Sequence, residues 1–261
     1  MIGIIGAGKL GSAIAVRLAK SGKFRAKVIV ADRNSGKLAA LSDERITATT
    51  DVIDAVRRSD AIILCVKPKD VDALLLQAGS LCTGKMVISM AGGISISHLQ
   101  AGAPGARIIR CMPNLAAGIG MSETGIAFSE SVTPEDRKTA EKIFRLLGNS
   151  RHIAEEKMAA WTALSGSYPA YVSLCIDAAA EAAQKEGIER RAAVKLAARV
   201  TLASAQLLLE TGEDPAELVS RVASPGGTTE AGLRVAEEKK LKEGFEEVLA
   251  AAIRRAKEVE K

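Results

Sequence analysis

Apolar residues in the first 154 positions fall in short unbroken runs, whereas beyond them they fall at helical spacing. Ile2–Ile5 predicts a buried strand and Lys9–Ser21 the helix after it. Lys27–Ala31, Ala61–Val66, Met86–Ser89 and Arg107–Cys111 predict further strands. Runs of Val, Ile and Leu without alternation belong to strands buried on both faces, as in a parallel sheet covered by helices. Parallel neighbours need crossovers, and segments of helical length separate these runs.

Near Glu155 the texture changes. From there to Lys261 no strand pattern stands out, and Ala-rich segments dominate: Ala170–Lys185, Ala192–Leu209 and Glu237–Val259. Their apolar residues recur at three and four spacing. The expected organisation is α/β: a doubly wound parallel sheet over residues 1–154, then an all-helical domain over 155–261. Small residues such as Ala178, Ala179, Ala182 and Ala183 let helices approach closely. A helical domain this poor in aromatics would gain from burial at an oligomer interface.

Composition narrows the function classes. Among 261 residues, 48% are hydrophobic and 26% charged, enough to bury a core and solvate a surface. Aromatics are only 3%, so a nucleic-acid surface built on base stacking is not expected despite the net charge of +5. Cys65, Cys82, Cys111 and Cys175 show no C-x-x-C spacing, and His98 and His152 are the two histidines. No metal site is expected, and reduced thiols fit a cytoplasmic protein. The apolar Met1–Ile5 run is broken by Gly6-Ala7-Gly8-Lys9, so neither a signal peptide nor a membrane span is expected there or elsewhere.

Gly6-Ala7-Gly8-Lys9-Leu10-Gly11 matches G-x-G-x-x-G between the first strand and its helix. In that context Gly6 permits a tight turn, Gly8 close approach to a pyrophosphate, and Gly11 helix–strand packing. The helix start then offers free N–H groups to phosphates. Asp32 closes the second strand, where an acid accepts hydrogen bonds from ribose hydroxyls and favours NAD. Arg33 and Lys37 would suit the extra phosphate of NADP, or serve as ordinary solvated charge; the choice stays open.

Val222-Ala223-Ser224-Pro225-Gly226-Gly227-Thr228-Thr229 is the second unusual segment. Ser224 is expected as a helix N-cap with Pro225 in the first turn. Gly226 and Gly227 would leave bare N–H groups for a small anion, with the Thr228 and Thr229 hydroxyls beside them. A plain helix start with flexible glycines reads equally well. Leu164-Ser165-Gly166-Ser167-Tyr168-Pro169, polar and Gly/Pro-marked, also interrupts the helical half.

The set Gly6-x-Gly8-x-x-Gly11, Val66-Lys67-Pro68, Met112-Pro113-Asn114, Leu164-Ser165-Gly166-Ser167 and Ser224-Pro225-Gly226-Gly227-Thr228-Thr229 resembles pyrroline-5-carboxylate reductase over nearly the whole chain. The resemblance implies an N-terminal Rossmann domain and an all-α C-terminal domain that dimerises, sometimes within larger assemblies. It implies reduction of 1-pyrroline-5-carboxylate to L-proline by NADPH or NADH, the last step of proline biosynthesis. By that match Gly6, Gly8, Lys9, Leu10 and Gly11 would serve the cofactor phosphates, and Asp32 and Arg33 the adenosine ribose. Val66, Lys67 and Pro68 would line the cofactor cleft, with Ala91, Gly92 and Asn114 near the nicotinamide. Ser224, Gly226, Gly227 and Thr228 would cradle the substrate carboxylate, and Thr229 would act as the catalytic hydroxyl near the imine nitrogen. Three positions depart from the family pattern: Leu10 stands for Met, Tyr168 for Gly, and Leu115-Ala116 for Thr-Pro after Met-Pro-Asn.

Two other readings use the same residues. One is a related imine reductase or β-hydroxyacid dehydrogenase, the latter needing a catalytic lysine; Lys185 and Lys195 are available but lie in no motif. The other is a non-catalytic nucleotide sensor, which would have no use for the Ser224–Thr229 cradle.

Overall fold

The structure, a computed structural model, describes residues 1–21, 27–41 and 43–261. Strands and helices alternate as β1 (Ile2–Ile5), α1 (Lys9–Lys20), β2 (Val28–Ala31), α2 (Ser35–Ala39), β3 (Ile46–Thr49), α3 (Val52–Arg57), β4 (Ala61–Leu64), α4 (Pro68–Ala78), β5 (Met86–Ser89), α5 (Ile96–Gly102) and β6 (Arg107–Met112). Then come β7 (Ser122–Phe128), α6 (Pro134–Arg145), β8 (Gly148–His152) and α7 (Met158–Trp161). Helices alone follow: α8 (Tyr168–Lys185), α9 (Arg190–Thr211), α10 (Pro215–Val222), α11 (Thr228–Glu238) and α12 (Leu241–Glu258).

The strands form one sheet in the order β3-β2-β1-β4-β5-β6-β7-β8, and among the described pairings β6 with β7 is antiparallel while the rest are parallel. Alternate residues of each inner strand feed opposite cores. Ile4, Val30, Ile63 and Ile88 meet Ile14, Leu18 and Phe144 on one face. Ile29, Ile62 and Val87 meet Val56, Val71 and Leu99 on the other. Burial on both faces is why these strands show no polar alternation.

The sequence does not announce β3, β7 and β8. β3 reads ITAT and β8 reads GNSRH, and both lie at sheet edges with exposed positions. Packing against a neighbour, rather than an apolar run, holds such strands. The expected helix over Glu237–Val259 is interrupted. Lys240 takes φ +50°, a left-handed conformation that separates α11 from α12.

Two compact units result: Met1–Gly166 together with Ile253–Lys261, and Ser167–Ala252. Residues 155–166 lie in the first unit, on the sheet side of the expected break at 154/155. Met158 is 1% exposed in its core, and a Cβ at Gly125 of β7 would meet the Trp161 ring at 2.7 Å. In the second unit α8 and α9 pack on each other. The 22-residue α9 is long and apolar enough, by length and composition alone, to cross a membrane. That corrects the expectation that no such stretch exists. Its Ala, Leu and Val content keeps the helix apolar although Lys195 and Arg199 lie within it.

Candidate active site

The sheet order reverses between β1 and β4, so the connections leaving them run to opposite faces and open a crevice at their carboxyl ends. The glycine turn sits there. Gly6 has φ +107°, and a Cβ on it would meet the Cys65 carbonyl oxygen at 2.6 Å. A Cβ on Gly11 would strike the Gly6 carbonyl, so α1 can approach the turn only without a side chain there. Gly8 has nothing within 4 Å of its Cβ position and caps α1 without a side-chain bond. The first-turn amides of α1 therefore face open space beside the turn, a geometry suited to phosphate oxygens.

A cavity of about 510 Å³ lies against this turn and brings together Gly6, Gly8, Asp32, Arg33, Val66 and Lys67 from the expected set. Lys9, Leu10, Gly11 and Pro68 do not line it. Lys9 and Pro68 are exposed at the starts of α1 and α4, Gly11 is buried, and Leu10 packs on the core. Lys37, offered by the sequence for an extra phosphate, lines the cavity too, and so do Lys69 and Asp70, which were not assigned to the site from sequence. Cys65 is at its floor, where burial pushes the thiol up to about 12, so it is a neutral group.

Asp32 is turned toward the protein. It accepts the Ala7 N–H at 2.8 Å, the Asn34 N–H at 2.8 Å and Lys37 Nζ at 3.3 Å. Burial acts to raise its pKa, but the Asn34 and Ala7 amides and Lys37 together hold it below the usual aspartate value. Arg33 is 83% exposed and bonds Asp70 at 3.2 Å.

Further along the same sheet edge, Ala91 and Gly92 follow β5 and Asn114 follows β6. Ala91 is buried, and Gly92 lies near the Met112 thioether. The Asn114 side chain accepts the Ala116 N–H at 3.0 Å, and the Asn114 backbone N–H donates to Ser122 Oγ at 3.1 Å. Leu115–Ile119 winds as a 3₁₀ turn with Leu115 exposed. Beyond β8, residues Thr162–Ser167 form a π-helix containing a buried Ser165.

In the second unit, the segment at 224–229 differs from its expected form. Gly227, not Ser224, is the N-cap, and α11 starts at Thr228. Ser224 to Gly227 closes a β-turn, with the Gly227 N–H on the Ser224 carbonyl at 2.9 Å and Gly226 at φ +71°. Pro then Gly at the centre of four residues favours a turn whose third residue has positive φ, which outweighs Pro225 entering the helix. Two amides expected to be bare are engaged: Gly227 by Ser224, and Gly226 by Glu230 Oε2 at 2.8 Å. The first-turn amides of Thr228 and Thr229 have no acceptor within the helix. A carboxylate of the chain thus already sits on one amide of the turn. Tyr168 stacks edge-on against Phe245 of the same unit, ring centroids 5.9 Å apart, which accommodates its bulk.

Two family descriptions match the chain: "Pyrroline-5-carboxylate reductase dimerisation" over residues 155–259, and "NADP oxidoreductase coenzyme F420-dependent" over residues 1–93. A pyrroline-5-carboxylate reductase of Methanosarcina acetivorans is 39% identical, with 100% of this chain and 98% of the relative covered. The pyrroline-5-carboxylate reductase structure from Coxiella burnetii superposes with a TM-score of 0.90 at 32% identity, covering 100% of this chain and 98% of that one. Plasmodium falciparum pyrroline carboxylate reductase, solved with NADP bound, also gives 0.90, at 25% identity with the same coverage. With a resemblance spanning both units and their motifs, this chain belongs to the pyrroline-5-carboxylate reductase family.

Proposed function

We propose that this protein is an NAD(P)H-dependent oxidoreductase that reduces 1-pyrroline-5-carboxylate to L-proline, the last step of proline biosynthesis. The observation that carries the reading is the pairing, in one chain of this family, of a phosphate-ready glycine turn with an amide turn that holds a carboxylate. When bound, the reduced nicotinamide supplies the hydride that adds to the C=N carbon.

The chain's own groups do the rest. The turn at Gly6 and Gly8 and the first amides of α1, from Lys9 onward, hold the cofactor phosphates. Val66 and Lys67 line its cleft, Pro68 starts the helix beside it, and Ala91, Gly92 and Asn114 serve its nicotinamide end. Thr228 and the turn from Ser224 to Gly227 orient the substrate carboxylate. Thr229 Oγ1 donates a hydrogen bond to the imine nitrogen, which makes the C=N carbon a better hydride acceptor; one proton from solvent completes the amine. Cys65 and Cys111, whose thiol pKa values desolvation raises, are assigned no role.

The cofactor favoured is NADPH. Asp32 spends its oxygens on Ala7, Asn34 and Lys37, and the cavity carries Arg33, Lys37, Lys67 and Lys69 against Asp32 and Asp70. An additional phosphate meets net positive charge there. A homodimer, or an assembly of dimers, covers the apolar side chains of the second unit, where Leu174 and Leu209 are 68% and 79% exposed. Four free cysteines suit a cytoplasmic site.

The test is absorbance of the reduced cofactor on mixing with pyrroline-5-carboxylate. Consumption with kcat/KM higher for NADPH than for NADH supports both parts. No consumption with either sinks the activity, and a clear NADH preference sinks the assignment of Arg33 and Lys37.

A further inference from the structure

The Leu164-Ser165-Gly166-Ser167 motif has no part in the groups assigned so far. Ser165 lies within the π-helix at Thr162–Ser167, a local widening of the helical ladder that recurs at functional sites. It is 8% exposed, yet its Oγ has no hydrogen-bond partner among the described residues. Thr162, at the start of the same turn, does find one: its Oγ1 bonds the Met158 carbonyl at 2.8 Å. A buried hydroxyl left unpaired is destabilising. A ligand that completes the bond would offset that cost.

Met112 places the π-helix beside the loop after β5. A Cβ on Gly92 would stand 3.8 Å from Met112 Sδ, and one on Gly166 3.0 Å from Met112 Cε. The Met112 side chain is therefore shared by the loop after β5 and the π-helix. Trp161 Nε1, the other buried side-chain atom without a partner among the described residues, belongs to a ring packed on Gly125 of β7.

We propose that the Ser165 hydroxyl hydrogen-bonds the carboxamide of the bound nicotinamide and thereby fixes the orientation of the ring. This rests on the reading that a nicotinamide cofactor uses the loop at Ala91 and Gly92. The chemistry matches, because a hydroxyl both donates and accepts, as a carboxamide does. Residues up to Gly166 belong to the unit that carries the glycine turn, whereas the carboxylate turn at 224–229 belongs to the other. Ser165 is thus assigned to the cofactor rather than to the substrate.

The experiment compares the full chain with its Ser165→Ala variant. Affinities are measured by fluorescence for NADPH, and by displacement for 2′-phosphoadenosine diphosphoribose, which lacks the ring. The expected result is NADPH binding weakened about fivefold to tenfold, the loss of one hydrogen bond, with the ring-less ligand unchanged. The unliganded variant should melt no lower than the parent, since an unpaired hydroxyl has been removed. Equal NADPH affinity, equal weakening of both ligands, or a lower melting temperature would each overturn the assignment. Binding of NADPH without turnover of pyrroline-5-carboxylate would remove the proposed activity and leave this test standing.

Discussion

Asp32 Oδ2 accepts the backbone N–H of Ala7 at 2.8 Å, so the residue that closes β2 braces the glycine turn after β1. Its Oδ1 takes the Asn34 N–H, and Lys37 Nζ bonds Oδ2 at 3.3 Å. The position read from sequence as a ribose acceptor is first a structural brace.

That brace has a pH signature. Asp32 has a folded pKa below the ordinary 3.8, so its stabilising effect is present above that value and is lost as pH falls through the folded pKa. Asp32→Asn removes the charge at every pH. The melting-temperature gap between parent and variant should therefore be widest at neutral pH and close on acidification below about 3.8. A gap constant from neutral pH to strong acid would contradict the role.

Arg110 of β6 is 4% exposed at its side chain and pairs with both Glu155 and Glu260. Glu155 also accepts the Ile96 N–H at 2.6 Å, while the Lys261 N–H bonds the Gly93 carbonyl at 2.8 Å. Two carboxylates and one cation thereby pin the loop that follows Ala91. Arg110→Ala would leave both acids facing an empty site. Denaturant unfolding should show a loss of about 3 kcal/mol, with Glu260→Gln losing about 1 kcal/mol because Glu155 remains. Unaltered unfolding of Arg110→Ala would refute the pinning.

Glu230 competes for an amide. Its Oε2 sits on the Gly226 N–H at 2.8 Å. Glu230→Ala should lower the KM for pyrroline-5-carboxylate about threefold to tenfold, at a stability loss of about 0.3–1 kcal/mol from a missing acid in the first turn of α11. An unchanged KM would place the substrate carboxylate elsewhere.

Thr229→Ala removes the proposed donor to the imine nitrogen. Turnover should fall about 10- to 100-fold, with an unaltered melting curve. Unchanged steady-state kinetics would remove Thr229 from the chemistry.

How far the residues announce all this depends on what holds each element. β1, β4 and β5 are legible because both their faces are buried, which forces unbroken Val, Ile and Leu. β3 and β8 are held by one neighbour and carry Thr, Asn and Arg, so no run marks them. The glycine turn is legible because Gly6 and Gly11 face backbone that no side chain could share. The turn at Ser224 is only half legible: Pro225-Gly226 encodes both a helix start and a β-turn, and hydrogen bonding chose the turn. The sequence marks the Leu164–Ser167 segment, but not that the Ser165 hydroxyl is left unpaired, which is a fact of packing.

The most direct measurement is a structure of the protein with NADP⁺ and L-proline. The expected result is a proline carboxylate within about 3.5 Å of the Thr228 and Thr229 amides, with Glu230 displaced from Gly226. A proline carboxylate bound away from residues 224–229, with the Glu230 contact intact, would contradict it.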